Sequence, residues 1–345
     1  MTTPNEADRP QVVDIHCHVS LPELEASLGG RFRPEYDPFS YHAGAVSNRY
    51  NADHFSEIVP KLTEPARRLE DMDRMGVDMQ AISVAPPQYY YWTEPDLGER
   101  LTKRLNERIA EICREHPMRF VGLGTLPMQD PARAVAELDR ITQEYGFAGV
   151  EICTNVNGAD YDNPRFEAFF NRAEELQTLV VLHPHGYTDA LRLSDYYLGN
   201  VIGNPLDAAV AMARMIFGGV FERHPDLKVC VVHGGGYLPF YWARMDHAWQ
   251  ARTDGKVALS HKPSEDMHKI YVDTVVFDPC LLRTLVTTMG VDHVLLGTDY
   301  PYDMGHYDPL GLVGAVEGLT DHERSRILGG NAAELLRLPV PTPGH

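Results

Sequence analysis

Val12-Val13-Asp14-Ile15-His16-Cys17-His18-Val19 is a short apolar run that ends in two histidines one residue apart. Runs like it recur down the chain. They are Met79 to Val84, Phe120 to Leu126, Ala148 to Cys153, Leu179 to Pro184, Leu227 to His233, Ile270 to Val276 and His293 to Asp299. Helical periodicity separates them. Residues 65–76 open on Pro65, repeat Leu69, Met72 and Met75 at three-residue spacing, and close on Gly76. Residues 95–116 carry Leu101, Leu105, Ile109 and Ile112 on one face, and Asp130 is placed to cap a helix from Pro131. Further helices are expected near 164–176, 204–223, 237–252 and 279–289, with others to about 337. Nearly all-apolar strands read as parallel strands buried on both sides. Eight strand–helix units predict a closed (β/α)8 barrel in one domain spanning 1–345. Residues 20–60 are rich in Gly, Pro, Tyr, Asn and His and read as an irregular loop inserted after the first strand.

Composition sets outer bounds. The chain has 345 residues and a net charge of −18. Such a charge argues against a nucleic-acid partner, which would need a basic patch to displace counterions. No run approaches the length of apolar sequence that spans a bilayer, and the first residues are polar, so no membrane partner and a cytoplasmic location are expected. Five scattered cysteines without a CxxC pair argue against a disulfide framework or a zinc finger. No Gly-x-Gly-x-x-Gly follows the first strand, which weakens a dinucleotide-binding reading.

Chemistry in such a barrel sits at the carboxyl ends of the strands. Those ends carry His16 and His18, His183, His233 and Asp299. Residues two apart on a strand face the same way, so His16 and His18 both face the barrel axis, a chelating arrangement for a divalent ion. A single histidine at a strand end is usually just a hydrogen-bonded core residue, and an aspartate after a strand often caps a helix. Four strand ends supplying ligand types together point to a metal centre. Strand alternation aims Cys17 away from it, so Cys17 reads as packing.

Asp14-Ile-His-Cys-His18, His183-Pro184, His233-Gly-Gly-Gly236 and Gly297-Thr-Asp-Tyr-Pro301 resemble the amidohydrolase superfamily. Within it they resemble the branch of aminocarboxymuconate-semialdehyde decarboxylase and the hydroxybenzoate-type decarboxylases, over about residues 12–337. The resemblance implies one divalent metal, zinc foremost and manganese next, held by His16, His18, His183 and Asp299. It implies that His233 orients or deprotonates metal-activated water, with Asp299 sharing the catalytic work. It also implies that Arg244 reaches a substrate carboxylate, often across a homodimer interface. Two-metal members bridge their ions with a strand-four lysine or glutamate, and Glu151 stands in strand four here. The branch also has a carboxylate-binding arginine in its inserted loop. Ser56 falls at that position, with Arg49 nearby as a substitute. His185 is a further candidate contact. Tyr36, Phe39, Tyr41, Tyr50 and the Tyr89–Trp92 run suggest a flat substrate or, equally, loop packing. The expected activity is metal-dependent non-oxidative decarboxylation of a small aromatic or unsaturated carboxylic acid. The alternative is a hydrolase or hydratase that uses the same activated water.

Overall fold

The computed structural model describes residues 11–338, apart from Asp189. Eight parallel strands lie in the order β1 to β8. They are β1 (Val13–Val19), β2 (Met79–Val84), β3 (Phe120–Gly124), β4 (Gly149–Cys153), β5 (Leu179–His183), β6 (Lys228–Val231), β7 (Tyr271–Asp273) and β8 (Val294–Leu295). Backbone bonds join the last strand region to the first: Ile15 N–H donates to Leu296 O at 2.9 Å and His18 N–H to Tyr300 O at 2.8 Å. The sheet is therefore a closed barrel. All seven residues of β1 are buried, as expected of a strand covered on both faces.

The barrel interior holds Val13, Ile15, Ala81, Leu123, Val181 and Cys230 in one apolar cluster. A larger cluster, including Leu105, Ile109, Leu138, Phe169 and Met212, fills the space between the strands and the surrounding helices. Helix α4 (Pro65–Met75) ends at Gly76, which takes a φ of 71° in the left-handed region that glycine enters at no steric cost. Helix α6 (Pro131–Tyr145) is capped by Asp130, whose carboxylate accepts from the Ala132 and Arg133 amides. The helical stretch expected at 204–223 is two helices, Asn204–Phe217 and Val220–Arg223, parted by Gly218 and Gly219.

Residues 20–60 differ from their reading as an irregular loop. They contain the short helices α1 (Glu23–Ser27) and α2 (Pro38–His42) and the nineteen-residue helix α3 (Ala45–Thr63). On α3 only Ile58 and Leu62 are buried. A helix whose other positions face solvent or a polar cavity has too few apolar residues to show a 3.6-residue stripe.

Candidate metal centre and its cavity

The barrel brings His16, His18, His183 and Asp299 together: one ligand-type atom from each lies within 4.8 Å of all the others, and all four residues are buried. Asp299 Oδ1 stands 3.4 Å from His16 Nε2 and 3.3 Å from His18 Nε2. Tetrahedral ligands at about 2.0–2.1 Å from one ion lie about 3.3 Å apart, so these spacings suit a shared cation. The ring nitrogens agree. The Nδ1–H of His16 donates to Asp273 Oδ2 at 2.6 Å, that of His18 to Val84 O at 3.2 Å, and that of His183 to Pro184 O at 2.7 Å. Each partner fixes the tautomer that leaves an Nε2 lone pair facing the cluster. All three Nε2 atoms and Asp299 Oδ1 are buried without a hydrogen-bond partner. Orphaned buried polar atoms are costly, and a bound divalent ion satisfies four at once.

Electrostatics point the same way. Burial works to raise the Asp299 carboxyl, but His16, His18 and His233 outweigh it and hold it well below the usual carboxylate range. Burial works against a charged His16, yet Asp299 and Asp273 hold its pKa well above the ordinary value. His183 is pushed well below, first by burial and then by the neighbouring imidazoles. Acidic pull on one ring and mutual repulsion on another mark a site built for a central positive charge.

His233 follows β6, two residues beyond the last strand residue, Val231. It adopts φ 55° and ψ 45°, a left-handed backbone rare outside glycine. Gly234, Gly235 and Gly236 follow it at positive φ. A Cβ on Gly236 would stand 2.2 Å from Pro205 O, so the turn admits no larger residue there. This turn brings His233 Nε2 to 3.5 Å from Asp299 Oδ2 and leaves Nδ1 buried and unpartnered. Asp273 braces the centre from β7: besides His16, it accepts from the Gly234 amide at 2.7 Å. Sequence reasoning passed over Asp273 because it falls in the middle of the run Ile270 to Val276, whereas β7 itself ends at Asp273.

Glu151, weighed as a bridge to a second ion, is otherwise engaged. It accepts from Ser83 Oγ at 2.8 Å and from Tyr89 OH at 2.9 Å. Cys17 is buried with its thiol toward Ala81 O, as its reading as packing requires.

A cavity of about 390 Å³ opens on the centre, reaching His183, His233 and Asp299. Phe39, Phe55, Ile58 and Pro86 give it apolar walls, and His185 lines it as the sequence suggested. His185 Nε2 lies 3.1 Å from Asp37 Oδ1. Burial works to raise Asp37, but His185 outweighs it and holds the carboxyl at about 2. Arg49 on α3 and Arg244 on the helix Leu238–Ala251 are both exposed, and neither lines the cavity. Of the loop aromatics, Phe39 lines it, while Tyr36 stacks on Trp92 at 4.5 Å and Tyr41 and Tyr50 are exposed. His54 lines the cavity; His42 and His306 do not.

The chain matches the amidohydrolase family over residues 13–338. It belongs to that family. This amidohydrolase is 35% identical to the 2-amino-3-carboxymuconate-6-semialdehyde decarboxylase of Dictyostelium discoideum, over 94% of this chain and 91% of that one. It is similar to the solved 5-carboxyvanillate decarboxylase of Sphingomonas paucimobilis, with a TM-score of 0.85, 26% identity, and coverage of 95% of this chain and 99% of that one. The 5-carboxyvanillate decarboxylase of Novosphingobium aromaticivorans, solved with bound manganese, shares the fold at a TM-score of 0.87 and 22% identity, over 98% of this chain and 100% of that one.

Proposed function

We propose that this amidohydrolase is a metal-dependent non-oxidative decarboxylase of a small aromatic or unsaturated carboxylic acid. The observation that carries the reading is His233 beside the four-ligand cluster, at the floor of a largely apolar cavity. Similarity to decarboxylases over nearly the whole chain supports it.

His16, His18, His183 and Asp299 would hold one ion. Zinc is the first choice, and manganese also suits three imidazoles and a carboxylate. Such an ion supplies Lewis-acid polarisation of the bound substrate and offsets its negative charge. The chain's residues do the rest. Asp273, Val84 O and Pro184 O hold the three imidazoles in their ligating tautomers. His233 delivers the proton that moves to the substrate carbon bearing the carboxylate, and the Asp299 carboxylate 3.5 Å away orients its ring. A carbon–hydrogen bond forms there, the carbon–carbon bond breaks, its electron pair returns to the π system, and carbon dioxide leaves. Apolar walls keep water from the reacting carbon. Arg244 is exposed on its own subunit, so we place its carboxylate contact across a homodimer, on the substrate of the neighbouring copy. Arg49 is exposed on α3 and would reach substrate only by bending over the cavity mouth, and His185 would contact it from the end of β5. No helix among the described residues is long and apolar enough to cross a membrane, and all five cysteines are free, which supports a cytoplasmic setting.

The test is turnover of hydroxybenzoates and carboxymuconate-like acids by metal-loaded protein in 18O-labelled water. Decarboxylation gives carbon dioxide and a product free of solvent oxygen. Solvent oxygen in the product, without carbon dioxide, would transfer the site to hydrolysis or hydration.

A further inference from the structure

The cavity has an unusual charge balance. Among the described residues its lining contains no lysine and no arginine, yet it contains Glu25, Asp37 and Asp303. Asp37 is met by His185, and Asp303 accepts from Tyr197 OH at 3.1 Å. A substrate with one carboxylate has its charge answered at the metal centre. A second carboxylate, farther out, would face acids with no cation from the same chain.

The outer wall offers neutral groups instead. Asn51 and His54 lie one turn apart on α3, and both line the cavity. Asn51 Nδ2 and His54 Nε2 are buried without hydrogen-bond partners. His54 Nδ1 lies 4.0 Å from Glu57 Oε2, beyond hydrogen-bond reach, so either ring nitrogen can carry the proton. An amide donor and an imidazole nitrogen on one wall suit a hydroxyl, which can accept from the amide and either donate to the ring or accept from it. Leaving such buried groups unpaired is costly, so a site carrying them discriminates against analogues that cannot pair with them.

We infer that Asn51 and His54 are specificity-determining residues that read an uncharged hydroxyl at the end of the substrate farthest from its single carboxylate. The inference rests on the decarboxylase reading for the orientation of the substrate.

The experiment uses three ring-matched acids that differ only at position 4: 2,4-dihydroxybenzoate, salicylate and 2-hydroxyterephthalate. Calorimetric binding and carbon dioxide release are measured with the metal-loaded protein and with Asn51→Leu and His54→Leu. The 4-hydroxy acid should bind about tenfold more tightly than salicylate, and the 4-carboxy acid more weakly than either. The leucine variants should erase the difference between the first two acids, because the groups that pair with the hydroxyl and are left unpaired by salicylate are gone. The inference is overturned if 2,4-dihydroxybenzoate fails to bind, if the 4-carboxy acid binds as well, or if the variants weaken all three acids alike. Tight 4-carboxy binding that Arg244→Ala abolishes would also overturn it, because a neighbouring copy would then read that end. Binding in the expected order without carbon dioxide would sink the decarboxylase reading and leave the recognition role standing.

Discussion

Asp273 shows how a residue that is not a ligand decides the state of one that is. Its two oxygens hold the His16 ring and the Gly234 amide, joining β1, β7 and the turn that carries His233. Asp273→Asn loses the charge and offers His16 the wrong partner, so metal affinity should fall by about 10–100-fold with the fold retained. Equilibrium competition with a chromogenic chelator checks this, and unchanged affinity would remove Asp273 from the site. His233→Asn should leave metal content near that of the parent while turnover falls by about 10²–10⁴-fold, the usual worth of a positioned proton-transfer group. A variant that turns over normally would end the role given to His233. Asp207 tests the electrostatics away from the metal. Burial pushes its carboxyl up to about 6 from an ordinary 3.8, against hydrogen bonds from Thr154 and Asn155. An acid raised on folding costs nothing below its unfolded value. The cost grows as pH rises from about 4 to 6 and is complete above that. Two units at about 1.4 kcal/mol each put the cost near 3 kcal/mol. Asp207→Asn should therefore melt several degrees above the parent at pH 8 and level with it near pH 4. An equal gap at both values would refute the assignment.

At the level of elements, what the sequence made legible follows from burial. β1 and β5 are buried throughout and carry histidines toward their carboxyl ends, so those ends pointed to ligands directly. Asp299 and His233 were read as strand termini. They lie instead in turns beyond β8 and β6, at positive φ, where hydrophobic pattern carries no signal. α3 was missed because Asn48, Asn51 and His54 interrupt the apolar residues of its inner side, Phe55, Ile58 and Leu62. A helix that walls a polar cavity looks like a loop from its composition. The turn after β6 belongs at this scale too. Gly236→Ala would force a Cβ against Pro205 O and displace the segment holding His233. Turnover should fall by at least tenfold, with the melting temperature lowered, while a control Ala at Asp130 should cost only about 1 kcal/mol and no turnover. Equal activity in the Gly236 variant would show that the turn does not position His233.

Across the whole molecule, the barrel gathers ligands from residues 16 to 299, so the site exists only when β8 has closed against β1. The ligands come from β1, the end of β5 and the turn beyond β8, and a bound ion ties these elements together. Metal should therefore stabilise the folded chain, by an amount that grows with the logarithm of its concentration over its dissociation constant. The net charge of −18 opposes an anionic substrate at long range, so the attraction falls to the metal centre. The measurement that bears most directly on these claims is a titration of metal-stripped protein with zinc or manganese, scored by carbon dioxide release from a panel of hydroxybenzoic acids. Activity should rise linearly and break at one ion per chain. A break at two ions, or full metal loading with no carbon dioxide from any acid, would contradict a mononuclear decarboxylase.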